Sequence, residues 1–188
     1  VAHLADVVDL PLIVFNTPGR AGLDMDDRLL VRIATRIPKV VGFKEASGNM
    51  AKFARVVRES SADFCMLQGL DDLVLPSLAL GGAGALITMG AVMPRLFVRL
   101  FDAVGRNDLA SARMLQLAAL PILDAVYHTP NPSGTKRLLE LLGRPGGPVR
   151  PPLRTVPPGQ DEHLARLVPM IEQLEPEAVR GDVSGARR

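Results

Sequence analysis

Val40-Val41-Gly42-Phe43-Lys44-Glu45-Ala46-Ser47-Gly48 is an apolar run that closes on a single lysine and then breaks into a turn. Val40 to Phe43 read as a strand buried on both faces, as strands of parallel sheets are, and Ser47, Gly48 and Asn49 read as the turn that starts a helix. Lys44 therefore falls at a strand's carboxyl end, where active sites collect in parallel α/β architectures. Apolar surroundings disfavour the charged ammonium, and a neutral amine attacks a carbonyl carbon to form a Schiff base. Spacing alone equally allows an ordinary strand-end lysine that carries its charge out to solvent along an apolar stem.

The same pattern recurs on either side of this stretch. Upstream, helical spacing from Val1 to Val8, with Leu4, Val7 and Val8 apolar, leads to a strand at Leu10 to Phe15 and a Pro-Gly turn at Asn16 to Arg20. Asp24, with Asp27 three residues on, then caps a helix carrying Leu29, Leu30, Ile33, Ala34 and Ile37, which ends at Pro38. Downstream of Lys44 comes a helix with Met50, Phe53, Ala54 and Val57 on its apolar face. A strand at Phe64 to Leu67, a loop at Gln68 to Asp71, a helix through Leu80, a strand at Ala85 to Thr88 and a helix opened by Pro94 follow. Strands starting near residues 12, 40, 64 and 84 predict a parallel sheet with right-handed crossovers. Periodicity leaves open whether that sheet is open or part of a barrel.

After residue 107 the strand signals stop. Asp108 caps a long helix with Ala112, Leu115, Ala119, Leu123 and Val126 on one face and Pro121 inside it. A helix over about 132–142, an irregular Pro- and Gly-rich stretch over 143–159 and a last amphipathic helix through Leu164, Leu167, Val168, Ile171 and Leu174 follow. The organisation expected is thus a strand-helix unit over 1–107, a helical extension over 108–174 and a disordered polar tail over 175–188.

Composition narrows the function. A charge of +2 from 22 basic and 20 acidic residues, with the basic residues scattered along the chain, gives nucleic-acid binding little support, and 4% aromatic content supplies no stacking platform. The single cysteine, Cys65, sits in an apolar run and reads as a buried core thiol from a reducing compartment. No apolar run approaches the roughly 18 residues that span a bilayer, and no signal-peptide order opens the chain, so a soluble, cytoplasmic protein is expected. A start at Val1-Ala2-His3, inside helical spacing, suggests a segment of something longer. His3, His128 and His163 lack the spacing of a metal site. Gly81-Gly82-Ala83-Gly84 precedes a strand instead of opening a helix, which argues against a nucleotide phosphate loop.

Phe15-Asn16-Thr17-Pro18-Gly19-Arg20, Gly42 to Gly48, Gly69-Leu70-Asp71, Gly81 to Gly84, and Asn131-Pro132 with Lys136 occur in one order and spacing. Together they resemble the dihydrodipicolinate synthase and N-acetylneuraminate lyase family, the pyruvate-type class I aldolases. The resemblance runs from residue 1 to about Pro158 and matches the second half of the family's domain. It implies an α/β fold built as strands five to eight of a (β/α)8 barrel, followed by the helical extension. It implies that Lys44 forms a Schiff base with the ketone of pyruvate or a similar 2-oxo acid, the iminium serving as electron sink for making or breaking a carbon-carbon bond. Arg20 matches an arginine at the mouth of the site, suited to grip a carboxylate. Gly69, Asp71 and Leu86 match substrate-binding positions. Further implications are a small-molecule substrate, no cofactor or metal, no nucleic acid or membrane partner, and a homo-oligomer, often a tetramer.

Two departures bear on activity. Phe15 stands where the family motif usually has a proton-relaying tyrosine, so the ring is kept and the acid-base group is lost. The Gly-Thr-Thr type segment that binds the substrate carboxylate, and a second relay tyrosine, have no counterpart in these residues. Leu70, and Leu86-Ile87-Thr88, also differ from the usual residues, which leaves the second substrate open. An alternative from another class is a truncated or degenerate relative that binds or assembles without catalysis.

Overall fold

The computed structural model describes residues 1–176. Helix α1 (Ala2–Val7) leads into β1 (Leu12–Asn16), and a one-turn helix α2 (Pro18–Ala21) and α3 (Asp27–Arg36) lead into β2 (Val40–Glu45). Helix α4 (Met50–Glu59), β3 (Cys65–Gln68), a 3₁₀ turn (Asp71–Leu73), α5 (Val74–Ala79) and β4 (Gly84–Ala85) follow. Helices α6 (Pro94–Gly105), α7 (Leu109–Tyr127), α8 (Ser133–Leu141) and α9 (Pro158–Leu174) complete the elements of the described residues. The four strands are parallel in the order β1-β2-β3-β4. This is the α/β arrangement read from the sequence; among the described residues the sheet stays open, with unpaired edges at β1 and β4.

One core lies between the sheet and helices α3 and α4, built on Leu30, Ile33, Val40, Phe43, Phe53, Val56 and Met66. Phe43 and Phe53 are fully buried, and Phe43 meets Phe64 edge to face with ring centres 5.0 Å apart. Burying each such side chain stabilises by roughly 1.5–3 kcal/mol. A second, larger core joins α5 through α9, with Met89, Leu96, Leu100, Ile122, Leu123, Leu138 and Leu164 completely enclosed.

The structure corrects several expectations. β2 is less completely covered than expected: Val40, Gly42 and Phe43 are buried, but Ile13 and Phe15 of the neighbouring β1 are 42% and 51% exposed on the face away from the helices. Val41, which the β1–β2 register skips between the Leu12↔Val40 and Ile13↔Gly42 pairs, is exposed too. In α1 it is Ala5 that is buried, while Leu4 and Val7 are exposed. Asp26, not Asp24, caps α3, its carboxylate accepting from the Leu29 N–H. Val56 and Lys52 face the core more fully than Val57. Cys65 is only half-buried. β4 ends at Ala85 instead of continuing to Thr88, because the chain turns into a 3₁₀ turn at Met89–Ala91 whose first N–H is taken by the Asp71 carboxylate.

Helix α7 is long and apolar enough to cross a membrane by length and composition, although Arg113 and Asp124 keep it from being one continuous apolar run. Its Leu115, Ala119, Ile122, Leu123, Ala125 and Val126 are buried in the second core. The basic residues are also less scattered than their spacing suggests. Arg28, Arg32 and Arg36 of α3 and Arg55 and Arg58 of α4 line one groove of about 480 Å³, with Arg55 paired to Asp27 and Arg58 to Glu59. Glu175, expected in the tail, is ordered: its carboxylate accepts from the backbone N–H groups of Arg95 and Leu96 at the start of α6. The rest of the expected tail, residues 177–188, lies outside the described residues.

Candidate active site

Lys44 is the penultimate residue of β2, paired in register with Phe15 on β1 and Leu67 on β3. Its Nζ sits over the Phe15 ring, 5.0 Å from the centroid. Its stem lies against the loop after β3: a Cβ on Gly69 would come within 2.8 Å of Lys44 Cε and 2.7 Å of Ala46 Cβ, so a residue without a side chain is required there. Desolvation pushes the ammonium below the ordinary lysine range, and the Asp71 carboxylate acts against that shift. The amine is thus neutral in a larger fraction at a given pH than a solvated lysine would be.

Asp71 opens the 3₁₀ turn after β3 and is 2% exposed. Its Oδ1 accepts from the Met89 N–H at 2.7 Å and its Oδ2 from the Tyr127 hydroxyl at 3.0 Å. Burial raises its carboxyl above the usual range, while these bonds pull the other way. Burial also raises the Tyr127 phenol, with the adjacent Asp71 charge adding to the effect.

A second buried polar cluster holds the neighbouring strand ends. The Asn16 amide donates to Glu45 Oε2 at 2.8 Å and to Asp24 Oδ1 at 2.7 Å, and Glu45 Oε1 accepts from the Ser47 N–H at 2.6 Å. Lys52 Nζ reaches Asp24, the Met25 carbonyl at 3.1 Å and Glu45 at 3.6 Å. Asn16, Glu45 and Lys52 are all 3% exposed or less. Hydrogen bonding to Lys52 and Asn16 holds the Asp24 carboxyl below its usual range. The cluster ties β1, β2, the β1–α3 connection and α4 together directly behind Lys44.

Residues 2–173 match the dihydrodipicolinate synthetase family. The chain belongs to that family. Within this chain the match is not confined to a C-terminal half. A 4-hydroxy-tetrahydrodipicolinate synthase of Methanoculleus marisnigri is 36% identical over 166 residues, which are 88% of this chain and 56% of the relative. The Listeria welshimeri enzyme is 35% identical over 150 residues, 80% of this chain and 51% of the relative. Among solved structures, dihydrodipicolinate synthase from Thermotoga maritima superposes with a TM-score of 0.86 at 28% identity, covering 92% of this chain and 59% of that one. The Cyanidioschyzon merolae protein, solved with lysine bound, gives 0.80 at 32% identity, covering 88% and 56%. This member therefore spans about half the length of the curated relatives it matches.

In this family member, Lys44, Phe15, Gly69 and Asp71 come together around the ends of β1, β2 and β3. Arg20 lies in α2, just beyond the end of β1, and is exposed; its guanidinium donates to the Asn131 carbonyl at 3.2 Å. Leu86 lines a separate apolar groove beside β4 with Phe97, Val98 and Phe101. Lys136 is occupied with the Pro- and Gly-rich segment, donating to the Gly146 carbonyl at 2.7 Å. Among the described residues no group of three or more His, Cys, Asp or Glu is placed to hold a metal ion. Tyr127, Glu45, Lys52 and Asn16 escaped the sequence reading as site residues. Lys52 carried a signal, since it shares the inward spacing of Phe53 and Val56.

Proposed function

We propose that this chain carries the nucleophile of a lyase or synthase acting on pyruvate or a similar 2-oxo acid, with Lys44 as that nucleophile. The observation that carries the reading is the half-buried Lys44 at the end of a parallel strand, its amine kept below the ordinary lysine range by desolvation in a chain of this family. The neutral amine adds to the ketone carbon; loss of water from the carbinolamine gives an iminium, which accepts the electron pair released when a bond at the adjacent carbon breaks. Arg20 supplies a guanidinium for the substrate carboxylate, and Gly69 leaves the space in which the lysine stem lies.

The four strands are assigned to positions five to eight of a (β/α)8 barrel, with 1–107 as the barrel portion and 108–174 as the helical extension. Support comes from the four consecutive parallel strands and from the share of the relatives' length that the chain spans. A cytoplasmic homo-oligomer belongs to the same reading, tested by sedimentation. A second reading, a non-catalytic binding or assembly relative, draws on Phe15, which presents to Lys44 a ring without a hydroxyl.

Incubation with pyruvate and borohydride, followed by mass spectrometry of the peptide holding Lys44, separates the two. A reduced pyruvate adduct on Lys44 is the expected result. Its absence at saturating pyruvate in a folded chain leaves the non-catalytic reading.

A further inference from the structure

Tyr127 is the last residue of α7 and the chain's one tyrosine. Its hydroxyl bonds twice to the same residue, accepting from the Asp71 N–H and donating to Asp71 Oδ2, both at 3.0 Å. Three turns earlier on the same helix, Gln116 donates to the Asp71 carbonyl at 3.1 Å and accepts from the Leu75 N–H at 3.1 Å. One helix thus grips Asp71 at its N–H, its carbonyl and its carboxylate. A carboxylate this enclosed needs donors in place of the water it has lost, and the Tyr127 hydroxyl and the Met89 N–H are among them.

The same loop bears on Lys44, since Gly69 stands two residues before Asp71 and lies against the lysine stem. The charged and titratable groups that act on Asp71 are Asp72 on its own turn and Tyr127 on α7; the charge acting on Lys44 of β2 is Asp71. We propose that Tyr127 is a positioning residue for Lys44: its hydroxyl fixes the Asp71 carboxylate beside the loop on which the lysine rests, so that α7 tunes the lysine's reactivity. The inference rests on the reading of Lys44 as nucleophile, yet it concerns a property the lysine has without substrate.

The sign follows from the bonds. Without the phenol, Asp71 loses a donor on its carboxylate and an acceptor for its N–H, so the carboxylate is no longer held in place by α7. The charge that Asp71 presents to Lys44 is weakened as the carboxylate moves, and the ammonium gives up its proton at lower pH.

Trace acetylation of the full chain with acetic anhydride across a pH series, with mass spectrometry of the Lys44 peptide, reads that midpoint directly. Asp71→Asn is expected to lower it by about one pH unit, and Tyr127→Phe to lower it by less. The double variant is expected to shift it no further than Asp71→Asn alone, because both changes act through one carboxylate. A Tyr127→Phe chain with the parent's circular dichroism and the parent's midpoint overturns the proposal, as do additive shifts. If Tyr127→Phe does not fold, Asp71→Asn decides through phenolate absorbance, which reports Tyr127 alone because the chain has one tyrosine and no tryptophan. The phenol is expected to ionise at lower pH than in the parent, and an unmoved titration overturns the coupling. A missing pyruvate adduct would sink the Schiff-base reading and leave these midpoints standing, whereas unshifted midpoints beside a trapped adduct sink this inference alone.

Discussion

Lys44 and Phe15 are register partners on adjacent strands, and the lysine's Nζ lies 5.0 Å from the centre of the phenyl ring. The ring face attracts the ammonium by about 0.5–1 kcal/mol at an exposed position, but it can neither give nor take a proton. Phe15→Tyr keeps the ring and adds a hydroxyl on the same side of the sheet as the amine. It is expected to speed exchange of the pyruvate methyl protons for deuterium by roughly 10²–10⁴-fold, followed by proton NMR. An exchange rate equal to the parent's removes position 15 from the acid-base chemistry.

Gly69→Ala tests the space behind the lysine. The new Cβ would sit 2.7 Å from Ala46 Cβ, 2.8 Å from Lys44 Cε and 3.0 Å from the Glu45 carbonyl oxygen. The lysine stem can swing away, but the other two cannot without moving the strand end. A loss of roughly 1–3 kcal/mol in urea unfolding is expected, together with a weaker borohydride-trapped adduct. Full stability with full trapping would show that the loop has slack.

Lys52→Met leaves the Glu45 carboxylate, 2% exposed, without its cation. Breaking a buried pair in this way costs roughly 3–5 kcal/mol, and adding Glu45→Gln is expected to recover part of it because the stranded charge is removed. Urea midpoints of the two single variants and the double variant check this. Equal stability of Lys52→Met and parent would mean that Asn16 and the Ser47 N–H already suffice for Glu45.

Adduct formation should depend on pH in a definite direction. Desolvation makes Lys44 hold its proton less tightly in the fold than an ordinary lysine does, so trapping with pyruvate is expected to reach its plateau at lower pH than for a solvated lysine. Between the folded and unfolded values the folded chain binds fewer protons at this site, so Lys44's contribution to stability rises with pH through that window. A trapping profile with its midpoint at the ordinary lysine value contradicts both statements.

Glu175→Ala removes the acceptor for two free N–H groups at the start of α6. A cost of about 1 kcal/mol in thermal or urea unfolding is expected, as for other helix-end acceptors. No change would place the stabilisation of that helix end elsewhere.

Local chemistry made much of the fold legible. The apolar run into Lys44, the Asp108 cap and the inward spacing of Ala112, Leu115, Ala119, Leu123 and Val126 each depend on residues within a few turns, and each is present. Misreadings arose where a distant partner decides. Asp24 has the look of a cap until Lys52, twenty-eight residues on, claims it. Thr88 has the look of strand until Asp71 takes the Met89 N–H and turns the chain. The site shows the same division: Lys44 and Gly69 lie in recognisable motifs, whereas Tyr127 is an ordinary helix-end residue until the fold carries it to Asp71.

The grip of α7 on Asp71 also constrains the order in which the site can form. Its bonds join residues 56 and 45 positions apart, so closing them costs more chain entropy than any local turn. The strand bearing Lys44 can pair with its neighbours well before that, since β1, β2 and β3 are joined by shorter loops. The pocket around the amine is therefore expected to mature last, after α7 docks, and a chain interrupted before Tyr127 would display the lysine without the surroundings that set its chemistry.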